Sequence, residues 1–353
     1  VSHPSNTYLS ALTFPRFVLA LLVVVFHFGL HLSFAKNSSI NEFLNHGAIA
    51  VSFFFFLSGF VLAYNYHEVK RVRNFYWKRI IRLYPLYLIT FLIVLLSQYF
   101  LNAQLPDVVH LIANGLGLQS WLPGYALQVN FPSWSLSVEF FFYATFPLLL
   151  WVFKRINWTL FSVLVLLIWL IGLAQHIYFV EMLYDPNRYF LEQFILYFPL
   201  FHFTTFLAGF YGGKLIHRLQ QKSYPSLLYS ILGSLGIVLF MLLMSTENIV
   251  RLYGHNGAFV PVFLIICVGL ALDQKVFPRL IGGKAFIFLG NISYSIYMWQ
   301  FPVFLWFTQF WGVEQFNSFQ FIIYLALLLL ISAVSFKWIE EPIRKKIGEN
   351  YLT

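Results

Sequence analysis

Charge is scarce in this chain, and so is cysteine. Of its 353 residues only 10% are charged, against 60% hydrophobic and 21% aromatic, and the mean hydropathy is +0.75. A soluble globular domain devotes about a quarter of its residues to Asp, Glu, Lys and Arg. With so few, this chain cannot clothe a water-facing surface. That excludes a soluble enzyme, and it excludes a nucleic-acid binder despite a net charge of +9. The single cysteine, Cys267, rules out an internal disulfide. It lies in an apolar run with no base beside it, so it reads as core packing. Short alternating strands are missing too, which excludes an outer-membrane barrel. No cleavable signal is expected, because the first apolar stretch is long and its flank lacks a small-residue cleavage site. Repeated halves, heptads and an appended soluble domain are also lacking.

What the chain does have is hydrophobic runs of about 20 residues, the length that crosses a bilayer as a helix. They predict an all-α, polytopic membrane protein in which one domain fills residues 1–353. Ten spans are expected, at 12–33, 47–66, 81–101, 134–153, 158–180, 195–213, 225–245, 257–273, 286–311 and 319–338. With the amino terminus in the cytoplasm, only Lys36, Arg188 and Arg251 of the 22 Lys and Arg face outward. The remaining 19 face inward, and the positive-inside rule then places both termini in the cytoplasm. Two outer loops, 102–133 and 181–194, are rich in Asn, Gln, Tyr and Pro and carry Asp107, Glu181, Asp185 and Glu192. They read either as a polar vestibule for a sugar-like ligand or as plain helix connections.

Ionisable residues inside those spans are the candidates for chemistry, since each is costly in lipid. The first span carries Arg16 and His27. Eleven residues are almost three helical turns, so both lie on one face, roughly 16 Å apart along the axis. A neutral imidazole is suited to take a proton from a hydroxyl near pH 7. His31, one turn further on, is a weaker candidate. In the third span Arg79 and Arg82 share a face at the helix entrance, with Lys78 and Tyr84 nearby. Guanidinium forks there suit phosphate oxygens, although headgroup contact and topology also account for such charge. Glu139 lies about two turns inside the fourth span and needs a partner. Its depth matches that of His27, about 9 Å from the outer end, so a His27–Glu139 contact is allowed. The four-Phe run 53–56 is expected to face lipid and neighbouring helices. Gly47, Ser58 and Gly59 are small enough to let helices approach closely. The 289–302 stretch and the tail from Trp338 read as structural.

Taken in order, these segments resemble the acyltransferase-3 family of membrane acyltransferases. The motifs are R-x10-H (Arg16, His27), F-F-x-L-S-G-F (Phe54 to Phe60) and R-x-x-R with Tyr84 and Pro85. S-W-S-L-S-V-E-F-x-F-Y (Ser133 to Tyr143), S-Y-S-I-Y (Ser293 to Tyr297) and E-x-P-x-R (Glu340, Pro342, Arg344) follow. The resemblance implies a ten-helix core in a bacterial cytoplasmic (inner) membrane. It would move an acyl group, usually acetyl, from acetyl-CoA to a carbohydrate hydroxyl. Acceptors would be an envelope polysaccharide such as O-antigen or exopolysaccharide, a lipid-linked sugar or a small glycoside. His27 carries over as the base, Arg16 as its same-face partner, and Arg79 with Arg82 as the donor-binding pair. Two departures stand out. Ala50 replaces a usual Gly, and Gln300 occupies a place where many members have His, so no catalytic role is assigned there. No metal is expected. His27 should be reachable by acyl-CoA from the cytoplasm and by the alcohol from outside. With no fused esterase-like domain, the chain is expected to finish the transfer itself. The competing expectation is a proton-coupled exporter of a sugar-containing compound, with His27 and Glu139 as its relay.

Overall fold

Helices account for the architecture, and no strand occurs among the described residues. The computed structural model describes residues 10–101, 105–222, 224–246 and 252–350, apart from the side chains of 38, 39 and 347–350. In order the helices are α1 (Phe14–Phe28), α2 (Ser38–Asn45), α3 (Ile49–Asn65), α4 (Val72–Phe100) and α5 (Val108–Gly115). Then come α6 (Trp134–Phe153), α7 (Trp158–Leu183), α8 (Tyr189–Tyr197), α9 (Pro199–Gln220) and α10 (Ser226–Met244). The last group is α11 (Val260–Leu272), α12 (Val276–Ile281), α13 (Lys284–Asn291), α14 (Ser293–Trp311), α15 (Ser318–Ser335) and α16 (Glu341–Asn350).

Among the described residues, seven stretches are long and apolar enough to cross a membrane. They are Ser10–Phe28, Val72–Phe100, Phe131–Phe153, Trp158–Leu183, Tyr189–Gln220, Ser226–Met244 and Ser318–Lys346. The other three expected spans coincide with α3, α11 and α14, which fall short in length or apolarity. The reason is position. Most of α3 and α11 is buried against other helices, and α14 buries Ser293, Ser295 and Gln300 in protein. A helix wrapped by protein need not satisfy lipid along its whole length.

Lipid tails are as apolar as Leu, so packing inside the bundle depends on van der Waals fit and close approach. The tightest seam joins α3 to α9. A Cβ at Gly59 would overlap the Phe206 carbonyl, and one at Gly209 would overlap that of Phe56, so the two backbones touch at glycine. The close approach expected of Gly59 is therefore made. The Phe run meets the neighbouring-helix part of its expectation and not the lipid part. Phe53 stacks on Phe263 at 4.5 Å, Phe55 meets the edge of Phe142 at 5.3 Å, and Phe53, Phe55 and Phe56 are buried in protein. Lipid contact falls instead to helices such as α7, where Leu164, Leu167 and Ile171 are exposed.

The connection into α6 folds back onto the bundle. Asp107 caps α5, accepting from the His110 backbone at 2.9 Å and pairing with its ring at 2.8 Å. Those contacts hold its carboxyl below the usual range. Gln119 is fully buried and donates to the Ser133 carbonyl at 3.0 Å, while Asn130 donates to that of Met298 at 3.2 Å. The other loop acids are also held close by: Asp185 by Arg188, Glu192 by Tyr184 and Glu181 by Tyr253. Arg251, one of the three outward charges, lies outside the described residues.

Candidate active site

A cavity of about 350 Å3 opens between α1, α3, α4, α6, α14 and the last helix. Arg16 enters it from α1, Arg79 and Arg82 from α4, and Arg344 from α16. Glu139 of α6 and Glu340 face them. Four guanidinium groups against two carboxylates leave an excess of two positive charges. Among the described residues no ion pair neutralises any of the four. Charge withdrawn from water without a counter-charge is costly, so such a cavity calls for an anionic guest.

The walls hold these groups without consuming them. Arg79 donates to the Tyr66 hydroxyl at 2.8 Å, and its guanidinium lies 5.4, 5.5 and 5.8 Å from the rings of Tyr66, Phe75 and Tyr143. Ring faces steady a cation by about 0.5–2 kcal/mol without occupying its donors, and Arg79 Nε has no partner. Gly290 lets the end of α13 lie against the Thr13 carbonyl, where any Cβ would overlap it, next to the turn that carries Arg16. The hydroxyls of 293–297 tie the walls together. Ser293 donates to the Gly290 carbonyl at 2.8 Å, Tyr294 to that of Leu83 at 2.7 Å, and Ser295 to Glu340. Tyr297 donates to the Pro132 carbonyl at 2.8 Å and accepts from Ser135 at 2.9 Å.

Glu139 accepts from Ser58 at 3.2 Å and from Tyr143, and no hydrogen bond joins it to His27. Equal depth from one side did not translate into proximity, because α6 turns this face toward α3. His27 contacts Gln300 instead, Nδ1 to Oε1 at 2.8 Å. The ring is half-buried, with the edge of Phe131 at 4.8 Å. His27 does not line the cavity, whose outer wall includes Phe54, Ser135 and Tyr297. That wall is one turn from the neighbours of His27 along two paths, Tyr297 to Gln300 and Ser135 to Phe131. The open approach to His27 from both sides that was expected is not part of this cavity.

Of the residues picked for the donor site, Arg79 and Arg82 line the cavity, whereas Lys78 and Tyr84 do not. Tyr84 donates to the Gly115 carbonyl at 2.5 Å, which ties α4 to α5. The His31 ring bonds the Phe316 carbonyl at 2.7 Å. Glu340 and Arg344 escaped the sequence reading because the last span was expected over 319–338 and the tail from Trp338 read as structural. The chain makes a π-type turn over Phe336–Glu340 and runs on as α16, which swings both residues into the cavity. Wide turns of this kind recur at functional sites. The E-x-P-x-R motif was the available signal.

The family model described as Acyltransferase domain matches residues 9–337. Among curated proteins, acyltransferase MdmB of Streptomyces mycarofaciens is 41% identical over 155 residues, 41% of this chain and 40% of that protein. Peptidoglycan O-acetyltransferase OatA of Listeria monocytogenes is 24% identical over 98% of this chain and 57% of its own length. O-acetyltransferase OatA of Staphylococcus aureus is 25% identical over 86% and 54%. The chain thus spans about half the length of the curated relatives it matches. No solved structure matches it. With the motifs in order and the family model covering nearly its whole length, the chain belongs to the acyltransferase-3 family.

Proposed function

We propose that this protein is a membrane O-acyltransferase that moves an acyl group, most simply acetyl, from cytoplasmic acyl-CoA to a hydroxyl of an envelope glycan. In this reading it has ten spans in a bacterial cytoplasmic membrane, with the cation-lined cavity and both termini on the cytoplasmic side. The observation that carries it is the set of four guanidinium groups without an ion-pair partner among the described residues in one cavity, whose wall lies one turn from the residues that touch the half-buried His27. The Listeria relative, named for peptidoglycan, supports a glycan acceptor.

Acyl-CoA is a polyanion with a thin, neutral arm. Arg16, Arg79, Arg82 and Arg344 hold its phosphates, two donors to an anion where geometry allows. The arm runs past Phe54, Ser135 and Tyr297, whose side chains move aside to admit the thioester. An acceptor hydroxyl arrives from the opposite side, beside Phe131. His27 removes its proton as the oxygen attacks the thioester carbonyl. The tetrahedral intermediate collapses, the C–S bond breaks, and the departing sulfur takes the proton from the imidazolium. Glu139 acts from within the cavity, on Tyr143 and the cation cluster, and not as the partner of the imidazole.

The test is purified protein with acetyl-CoA and candidate glycans, following free thiol and acylated product. Acceptor-dependent thiol release that His27→Ala abolishes, in protein that still unfolds cooperatively in detergent, is the expected result. Full activity in His27→Ala overturns the role of His27. Glycan binding and transport without thiol release overturns the enzyme in favour of an exporter.

A further inference from the structure

Gln300 is fully buried in α14, and three hydrogen bonds fix it. Its Nε2 donates to the Tyr297 carbonyl at 2.9 Å, its own carbonyl accepts from the Tyr324 hydroxyl at 2.9 Å, and its Oε1 lies 2.8 Å from His27 Nδ1. The first bond decides how the amide is turned. A backbone carbonyl only accepts, so the NH2 end must face Tyr297 and the oxygen must face His27. Turning the amide over would set two acceptor oxygens against each other at Tyr297.

The amide oxygen in turn decides the imidazole. Oε1 cannot donate, so the bond forms only if Nδ1 carries the proton. A neutral ring has one N–H, which leaves the lone pair on Nε2. That nitrogen makes no hydrogen bond to the described residues and is not among the sealed, unpartnered polar atoms. Other imidazoles are used the opposite way. At His31, His176, His202 and His217 it is Nε2 that faces a backbone carbonyl, so Nε2 carries the proton there and offers no lone pair.

We propose that Gln300 is a positioning residue that locks His27 in its Nδ1–H form and so presents Nε2 as the base. The proposal rests on reading His27 as the base, and it assigns a task to a position that the sequence left without one. An amide suits the task because it is neutral in lipid and cannot take the proton itself. After His27 accepts a proton at Nε2, the Nδ1–H bond to Gln300 persists, so the ring keeps its orientation through the step.

The test is 15N-histidine-labelled protein in nanodiscs, with the His27 signals assigned by their loss in His27→Ala. The wild-type ring should show a protonated Nδ1 and a bare Nε2. Gln300→Met keeps length and volume but has no amide, and it should populate the Nε2–H form. Its kcat should fall about 10- to 100-fold, a fraction of what a general base contributes. KM for acyl-CoA should stay within about threefold, since the cations that set it are untouched. Gln300→Glu keeps an acceptor oxygen in place and should recover most of the rate. A wild-type ring protonated on Nε2 overturns the proposal, even if the Met variant fails to fold. So does wild-type kcat in a folded Met variant while His27→Ala is inactive. Activity in His27→Ala overturns the underlying base reading instead, whatever form the ring takes.

Discussion

Two buried polar regions of this molecule look alike in composition and differ in how their polar groups are spent. One is the cation-lined cavity. The other is a histidine cluster, His176, His202 and His255, gathered around a break in the chain before α11. In that break, Gly254–Ala258, Asn256 and Gly257 leave helical geometry, and Gly257 takes φ 92°. Carbonyls left without helical donors must find others, since lipid supplies none. The cluster provides them. His176 bonds the Leu252 carbonyl at 2.7 Å, His202 that of Leu196 at 2.9 Å, and Asn256 that of Ile195 at 3.2 Å. Its rings pack on one another and on Trp134, with His202 5.5 Å from His255 and 5.3 Å from Trp134. In the cavity the pattern is reversed. Arg16, Arg79, Arg82 and Arg344 line a cavity, and no backbone carbonyl among the described residues accepts from them. Inside a membrane protein, a polar side chain that serves a stranded carbonyl is architecture. One held in place but left unspent is a site.

That contrast can be broken by measurement. The largest effect is expected at the histidine beyond the cavity. His27→Ala should lose about 10²–10⁴-fold in turnover with an unchanged apparent Tm. Next, Arg82→Met should raise KM for acyl-CoA about 10- to 100-fold, the worth of a charge-assisted hydrogen bond. Its Tm should hold or rise, because an unpaired charge is removed. His202→Leu should do the converse and cost about 1–3 kcal/mol by stranding the Leu196 carbonyl, with kcat/KM of the folded fraction unchanged. A catalytic loss there without a stability loss would erase the distinction between the regions. Gly59→Ala should cost a similar 1–3 kcal/mol, read from thermal unfolding, because its new methyl meets backbone. Lys78→Ala, outside the cavity, should change KM by less than about threefold. A larger change would extend the donor site onto the surface.

How far these regions could be read in advance depends on the range of the contacts that make them. That Arg79 and Arg82 would face one cavity was legible from their spacing of three on one helix, whereas the shared helix of Arg16 and His27 placed only Arg16 there. The small residue at Gly59 signalled a close helix approach, which the α3–α9 seam makes. The partner of Glu139 was not legible. Depth is one coordinate, and the rotation of α6 against α3, set by packing, decided for Ser58 and Tyr143. Glu340 was hidden by a local event, a π-type turn that carries the last helix past Pro342 and aims its acid inward. The buried Phe run misled because apolar rings suit lipid and protein equally, and only neighbours tell which surrounds them.

By itself the sequence determined the class of the molecule, its helical runs, and which residues share a helix face. These follow from composition and from the 3.6-residue period, both local properties. The tertiary structure alone decided which charges meet in one cavity, that His27 is not part of its lining, and that Gln300 meets the imidazole. That last contact joins residues 273 positions apart. Nothing local encodes such a pairing; it exists only once α1 and α14 are packed side by side.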